Sequence, residues 1–273
     1  MNPYKIDGPA VVSFSGGRTS GFMLWNILEA HGGKLPEDIK VVFCNTGLEH
    51  PETYNFINRL EAWTPITWLE YCLDPEYKHS FKIIDFDSSS RDGSPFRELI
   101  FKNSYKKGRP MLPSSMIRLC TSELKIRTMN RFVKSLGWED WDNCVGLRAD
   151  EPRRVAKIKY QSGDFSTITP MADAGHDNLD VQLFWKNHQL DLKLPLNSNI
   201  FGNCCGCFLK GVGKLEAIAR EQPELLHWWR DIEEETGQTF KKYDRPNYSE
   251  ILRNAHLQLG FDFGDSIDCF CTD

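Results

Sequence analysis

No apolar run in these 273 residues approaches the roughly 20 that a membrane-spanning helix needs, so a spanning helix is not expected. The opening Met1-Asn2-Pro3-Tyr4-Lys5 lacks the apolar core of a signal peptide. A reducing cytoplasm is therefore the expected compartment, and the nine cysteines read as redox, metal-binding or buried residues, not as a disulfide framework. Positive charge is in short supply: 33 Lys and Arg against 38 Asp and Glu leave a net −5, which argues against a globally basic nucleic-acid-binding surface. A local stripe remains at Lys102, Lys106, Lys107 and Arg109. Internal repeats and low-complexity tracts are missing too. So are the lysine-ended G-x-x-x-x-G-K-S/T loop and the G-x-G-x-x-G dinucleotide turn, which leaves two common nucleotide-binding folds unsupported.

What is present begins with Val11-Val12-Ser13-Phe14-Ser15-Gly16-Gly17-Arg18-Thr19-Ser20, an apolar strand running through a Ser-Gly-Gly turn into a helical stretch that reaches Ala30. Paired glycines let the backbone approach an anion, and the free N–H groups and dipole of the following helix point at it. Ser13, Ser15, Thr19 and Ser20 add hydroxyls, and Arg18 adds charge. The turn is a candidate phosphate site. Strands are expected at Ala10–Phe14, Lys40–Phe43, Ile66–Leu69 and Asn143–Leu147, and helices at Thr19–Ala30, Pro51–Trp63 and Ser122–Leu136. That alternation is a parallel α/β pattern. Asp85 to Pro113, rich in Ser, Gly, Pro and charge, reads as a long loop or lid, and helices dominate after Asp177. The length allows a main α/β domain over residues 1–175 with a mostly helical region over 176–273. Within the latter, Trp228-Trp229-Arg230 and the acidic residues after it read as an amphipathic helix packed by its aromatic face.

Four more blocks carry candidate chemistry. Asn45, Thr46 and Gly47 stand where a strand should end, ready to hydrogen-bond a base or ribose. Lys125 is a compact charge. Arg148, Arg153 and Arg154 offer forked donors that match phosphate or sulfate oxygens, with Asp150 and Glu151 as competing ion-pair partners or magnesium ligands. Cys204 and Cys207 form a C-x-x-C pair around Gly206, able to bind one metal or to form a redox disulfide. Cys44, Cys72 and Cys144 lie in or beside apolar runs and read as packed thiols.

In their order along roughly residues 10 to 210, these blocks resemble the phosphoadenosine phosphosulfate reductase family of the PP-loop ATP pyrophosphatases. The matching segments are Ser15 to Ser20, Val42 to Thr53, Leu119 to Lys125, Gly146 to Arg154 and Asn203 to Cys207. The resemblance implies an adenine nucleotide alpha hydrolase-like, Rossmann-like parallel sheet flanked by helices, with the nucleotide pocket at the carboxyl ends of its strands. It implies ATP, phosphoadenylyl sulfate or adenylyl sulfate as ligand, Mg2+ as a candidate companion, and Lys125, Arg148, Arg153 and Arg154 as catalytic candidates. It also implies a 4Fe–4S site built from Cys120, Cys204 and Cys207, with Cys205, Cys269, Cys271 or a non-cysteine group as fourth ligand; zinc is the alternative. Two chemistries follow: substrate adenylation with pyrophosphate release and sulfur transfer, of the nucleic-acid thiolation or phosphorothioation type, or reduction of a sulfonucleotide to sulfite. Their implied partners are a nucleic acid with a cysteine desulfurase as sulfur donor, or thioredoxin; a homodimer is also open. Retention of Gly16 and Gly17 favours ATP, because a turn of this kind cradles pyrophosphate. The tail cysteines Cys269 and Cys271 depart from the Glu-Cys-Gly ending of the reductases and sit among Asp265, Asp268 and Asp273, which would raise a thiol pKa. A nucleotide-binding subunit without catalysis is the third reading.

Overall fold

The computed structural model describes residues 2–76, 78–102, 109–159, 165–240 and 245–255. Cys269 and Cys271, with Lys106 and Lys107 of the basic stripe, lie outside them.

Six strands form one sheet in the order β4-β3-β2-β1-β5-β6. They are β1 (Ala10–Ser13), β2 (Ile39–Asn45), β3 (Ile66–Leu73), β4 (His79–Ile84), β5 (Asp142–Cys144) and β6 (Ser166–Ile168). All neighbours run parallel except β3 and β4. The strands after β1 step outward through β2 and β3; β5 then returns to the other side of β1, with Val12 opposite both Val41 and Cys144. The order thus reverses between β1 and β5, and open α/β sheets bind ligands at the carboxyl end of such a crevice.

Alternation of side chains divides the interior in two. Ala10, Val12 and Phe43 face the larger core, covered by α1 (Arg18–Ala30) and α2 (Pro51–Leu60). Val11, Val42 and Leu69 face a smaller one, where Met129, Phe132 and Val133 of α4 (Thr128–Ser135) pack. Pro51 starts α2, and the His50 imidazole caps it by accepting the Glu52 N–H at 3.1 Å. The expected helix over Ser122–Leu136 is a π-helix, Cys120–Arg127, running directly into α4. A π-turn widens the helix, and such segments often sit at functional sites.

The long loop expected over Asp85–Pro113 contains a helix, α3 (Ser94–Lys102), whose Phe96, Leu99 and Ile100 recur at helical spacing and are buried. Two edge strands also escaped sequence reading. β4 is half-exposed and carries no clean alternation, and β6 is only 3 residues long.

Beyond the sheet follow α5 (Pro152–Lys159), α6 (Pro170–Asp173), α7 (Asn178–Asn187), α8 (Val212–Glu221), α9 (Glu224–Thr236) and α10 (Tyr248–Ala255). Trp185 of α7 is buried against Phe56 of α2, with ring centroids 5.2 Å apart, and its indole N–H donates to the Arg18 carbonyl at 2.8 Å. Trp229 of α9 is buried, as its aromatic spacing predicts. Among the described residues no helix is long and apolar enough to cross a membrane.

Candidate functional site

The Ser15–Ser20 turn closes on itself. Ser20 Oγ lies 3.0 Å from Ser15 Oγ and donates to the Gly17 carbonyl at 3.0 Å, while the Ser15 N–H donates to Ser20 Oγ at 3.2 Å. Gly16 takes φ +79°, and a Cβ there would stand 2.6 Å from Thr53 Cγ2 and 2.9 Å from Ile57 Cδ1. Glycine is therefore required twice over, by the left-handed backbone and by the closeness of α2. Gly17 caps α1 in an extended conformation without a side-chain hydrogen bond.

The arginines are distributed differently from expectation. Arg18 turns away from the anion position to grip Asp191, Nε to Oδ1 at 2.7 Å and Nη2 to Oδ2 at 2.8 Å, and also donates to the Leu192 carbonyl. Arg148 comes to the start of α1, with Nη1 3.4 Å from Thr19 Oγ1, while its Nε donates to Asp150 at 2.9 Å. Glu151 pairs with both Arg148, at 3.7 Å, and Arg154. Asp150 and Glu151 thus form ion pairs with these guanidiniums. Arg153 is exposed on α5.

Asn45, Thr46 and Gly47 do not present themselves to a base. Asn45 is fully buried; its amide donates to Glu70 Oε1 at 2.6 Å and to the Ser90 carbonyl at 2.8 Å, and its Oδ1 accepts from Gly47 N–H and Tyr54 O–H. Gly47, at φ +79°, lies so close to Gly93 that a Cβ would meet its nitrogen at 2.8 Å. Thr46 Oγ1 donates to Glu49 at 2.8 Å and lies 3.3 Å from Cys204 Sγ. The buried Glu49 carboxylate also accepts Thr46 N–H, Leu48 N–H and Tyr54 O–H. A short bridge between Glu49 and Cys204, with Cys205 N–H on the Leu48 carbonyl at 2.9 Å, welds this loop to the C-x-x-C turn. The segment is scaffolding beside the crevice.

A cavity of about 490 Å³ lies against β1, β2, β5 and β6, reaching Ser13 to Ser15 at the carboxyl end of β1, Val42 and Cys44 of β2, Asn143 of β5 and Thr167 of β6. Ser13, Ser15, Lys125 and Arg154 line it, as do two cations that sequence reading missed, Arg118 and Lys157. Among the described residues no Asp or Glu contributes to its wall. The remaining lining is largely apolar, with Val42, Met129, Val145 and Phe165 among it. Four basic side chains and a glycine turn beside apolar surface suit an anion tethered to a flat apolar body.

The sequence model of the phosphoadenosine phosphosulfate reductase domain matches residues 9–194, the stretch that builds the sheet and this cavity. The chain belongs to that family. Two uncharacterized proteins are among the relatives of this family member. The nin region protein ORF290 of Escherichia phage lambda is 27% identical over 260 residues, covering 91% of this chain and 82% of its own length. Protein MJ0066 of Methanocaldococcus jannaschii is 26% identical over 237 residues, covering 84% of this chain and 42% of its own length. Of solved structures, the phosphoadenylyl-sulfate reductase of Candida auris in a phosphate complex superimposes with TM-score 0.41 at 15% identity, over 70% of this chain and 82% of that one. The U34-tRNA thiolase NcsA of Methanococcus maripaludis with its 4Fe–4S cluster gives TM-score 0.41 at 13% identity, over 94% and 73%.

Among the described residues no three His, Cys, Asp or Glu side chains come together in a group able to hold a metal ion. Cys205 is buried and directs its thiol to the Phe201 carbonyl at 3.5 Å; burial pushes its pKa up to about 12. Cys204 and Cys207 are buried in the turn, and Cys120 opens the π-helix, half-buried. Cys144 is packed as expected. Cys44 instead lines the cavity, its thiol 3.6 Å from the Lys125 carbonyl. Two of the missed residues left a sequence signal: Arg118 precedes the cysteine–lysine block by one residue, and Lys157 extends the arginine block one helical turn beyond Arg154.

Proposed function

We propose that this chain is an enzyme that binds an adenine nucleotide, ATP in the first place, and activates an oxygen of its acceptor for replacement by sulfur. One observation carries the reading: the cavity at the strand-order reversal joins the Ser15 turn to Arg118, Lys125, Arg154 and Lys157, with no carboxylate in its wall among the described residues. In this reading the acceptor oxygen attacks the α-phosphorus. The bond from the α-phosphorus to the α–β bridging oxygen breaks, and its electrons leave with pyrophosphate. Lys125 and Arg154 stabilise the charge that gathers on the phosphoryl oxygens, while the free N–H groups of α1 hold the departing pyrophosphate. A sulfur nucleophile then displaces AMP from the adenylated acceptor.

The four cations also favour a second substrate, phosphoadenylyl sulfate, whose anionic groups would take them while a thiol attacks the sulfate sulfur and expels adenosine 3′,5′-bisphosphate; a second thiol then frees sulfite as the two thiols form a disulfide. Calorimetric titration with ATP and with phosphoadenylyl sulfate, followed by assays for pyrophosphate and sulfite, separates the two. ATP binding that weakens about tenfold or more in Lys125→Gln, with pyrophosphate release in the presence of acceptor, supports the first. Sulfite release assigns the second, and binding of neither nucleotide overturns both.

A further inference from the structure

Asn143 sits on the floor of this cavity, in β5, flanked by β1 and β6. It is only 6% exposed. Its Oδ1 accepts the Ser13 hydroxyl at 2.6 Å, and that hydroxyl also lies 3.4 Å from Met129 Sδ, so Ser13 fixes the plane of the amide. The amide's Nδ2 makes no hydrogen bond to any described residue. Val42, Met129, Val145 and Phe165 line the same cavity, as does Thr167, opposite Asn143 on β6. A buried strand position normally holds a residue such as Val or Ile; here an amide presents its donor pair to the cavity, where a ligand can complete it.

We infer that Asn143, oriented by Ser13, recognises the purine base of the nucleotide by donating from Nδ2 to a ring nitrogen. This deepens the nucleotide reading and rests on it. Phosphate oxygens are drawn to the cations and to the helix N-terminus, where charge is matched by charge. An uncharged donor set among apolar side chains instead selects a flat, uncharged group that carries in-plane lone pairs, as a purine does at its ring nitrogens. The apolar neighbours cover the faces of the base, and the amide reads its edge. Ser13 is then a positioning residue, acting through the amide.

The test separates base from phosphate. Affinities of the full chain for ATP and for inorganic tripolyphosphate are measured by calorimetry in the wild type, Asn143→Leu and Asn143→Ala, with melting temperatures as the check on folding. Both variants should lose about tenfold for ATP, the worth of one hydrogen bond, and stay within twofold for tripolyphosphate. Ser13→Ala should weaken ATP binding in the wild-type background and add nothing to Asn143→Ala. Equal losses for both ligands, or no loss for ATP, overturn the inference. A wild type that binds tripolyphosphate as tightly as ATP overturns it as well. Failure of the wild type to bind either ligand rejects the nucleotide reading itself, an outcome visible before any variant is made.

Discussion

Arg18 and Asp191, 173 positions apart, meet in a two-pronged ion pair with contacts of 2.7 and 2.8 Å, tying the first turn of α1 to the segment that follows α7. The Asp191 carbonyl is held as well, by Arg59 of α2 at 3.0 Å. The charge next to the glycine turn therefore locks the loop's frame in place.

Arg18→Gln removes the pair, whose side chains are 18% and 29% exposed, and should cost about 1 kcal/mol of stability. ATP affinity should stay within about threefold. A tenfold loss by calorimetry with unchanged stability would place the guanidinium on the phosphates instead.

Gly16→Ala must put a side chain at φ +79° and within 2.6 Å of Thr53. Strain and overlap together should cost roughly 2 kcal/mol or more and lower the melting temperature by several degrees. Tripolyphosphate affinity should fall with it, since the turn itself is displaced. A variant that melts and binds like the wild type refutes the geometry of the turn.

Glu49 accepts four neutral donors inside the weld between the strand-end loop and the cysteine turn. Glu49→Gln keeps the size but turns an NH2 group toward donors, so about 2 kcal/mol should be lost on urea unfolding. Contact between Thr46 and Cys204 should loosen at the same time, read as faster alkylation of Cys204 in the native protein. Unchanged stability and labelling would remove Glu49 from the scaffold.

Cys205 should give the fold a stability that depends on high pH. Its pKa is raised from 9.0 to about 12 by burial. The folded state therefore keeps a proton that the unfolded chain releases, and the stabilisation is complete below pH 9 and drains away as the pH climbs toward 12. Cys205→Ala should flatten that part of the stability curve. In the native protein at pH 8, iodoacetamide should label half-buried Cys120 well before Cys205. Early labelling of Cys205 would contradict its burial.

Much of the nucleotide half was readable in advance. β1, α1, β2 and α2 each carry a strong periodic pattern, and the Gly16-Gly17 turn announces its conformation through residue type alone. α3 lay hidden in a stretch rich in Ser, Gly and Pro, although Phe96, Leu99 and Ile100 mark its buried face. At the site, Ser13, Ser15, Lys125 and Arg154 reach the cavity as expected from their blocks, whereas Asn45 and Thr46 spend their polar groups on the turn they belong to. A polar residue at a strand end reads the same whether it faces a ligand or a neighbouring backbone, because local sequence carries no information about which partner is closer.

The sequence by itself determined the alternation of strands and helices, the glycine turn and the family, since these depend on periodicity, backbone freedom and the order of blocks. Only the tertiary structure decided what surrounds the anion. Strand order in a parallel sheet is set by crossovers that bury helices on both faces, and it is this order that sets β5 beside β1. That adjacency brings Asn143 to Ser13 from 130 positions away, while the long-range pairing of charges turns Arg18 toward Asp191.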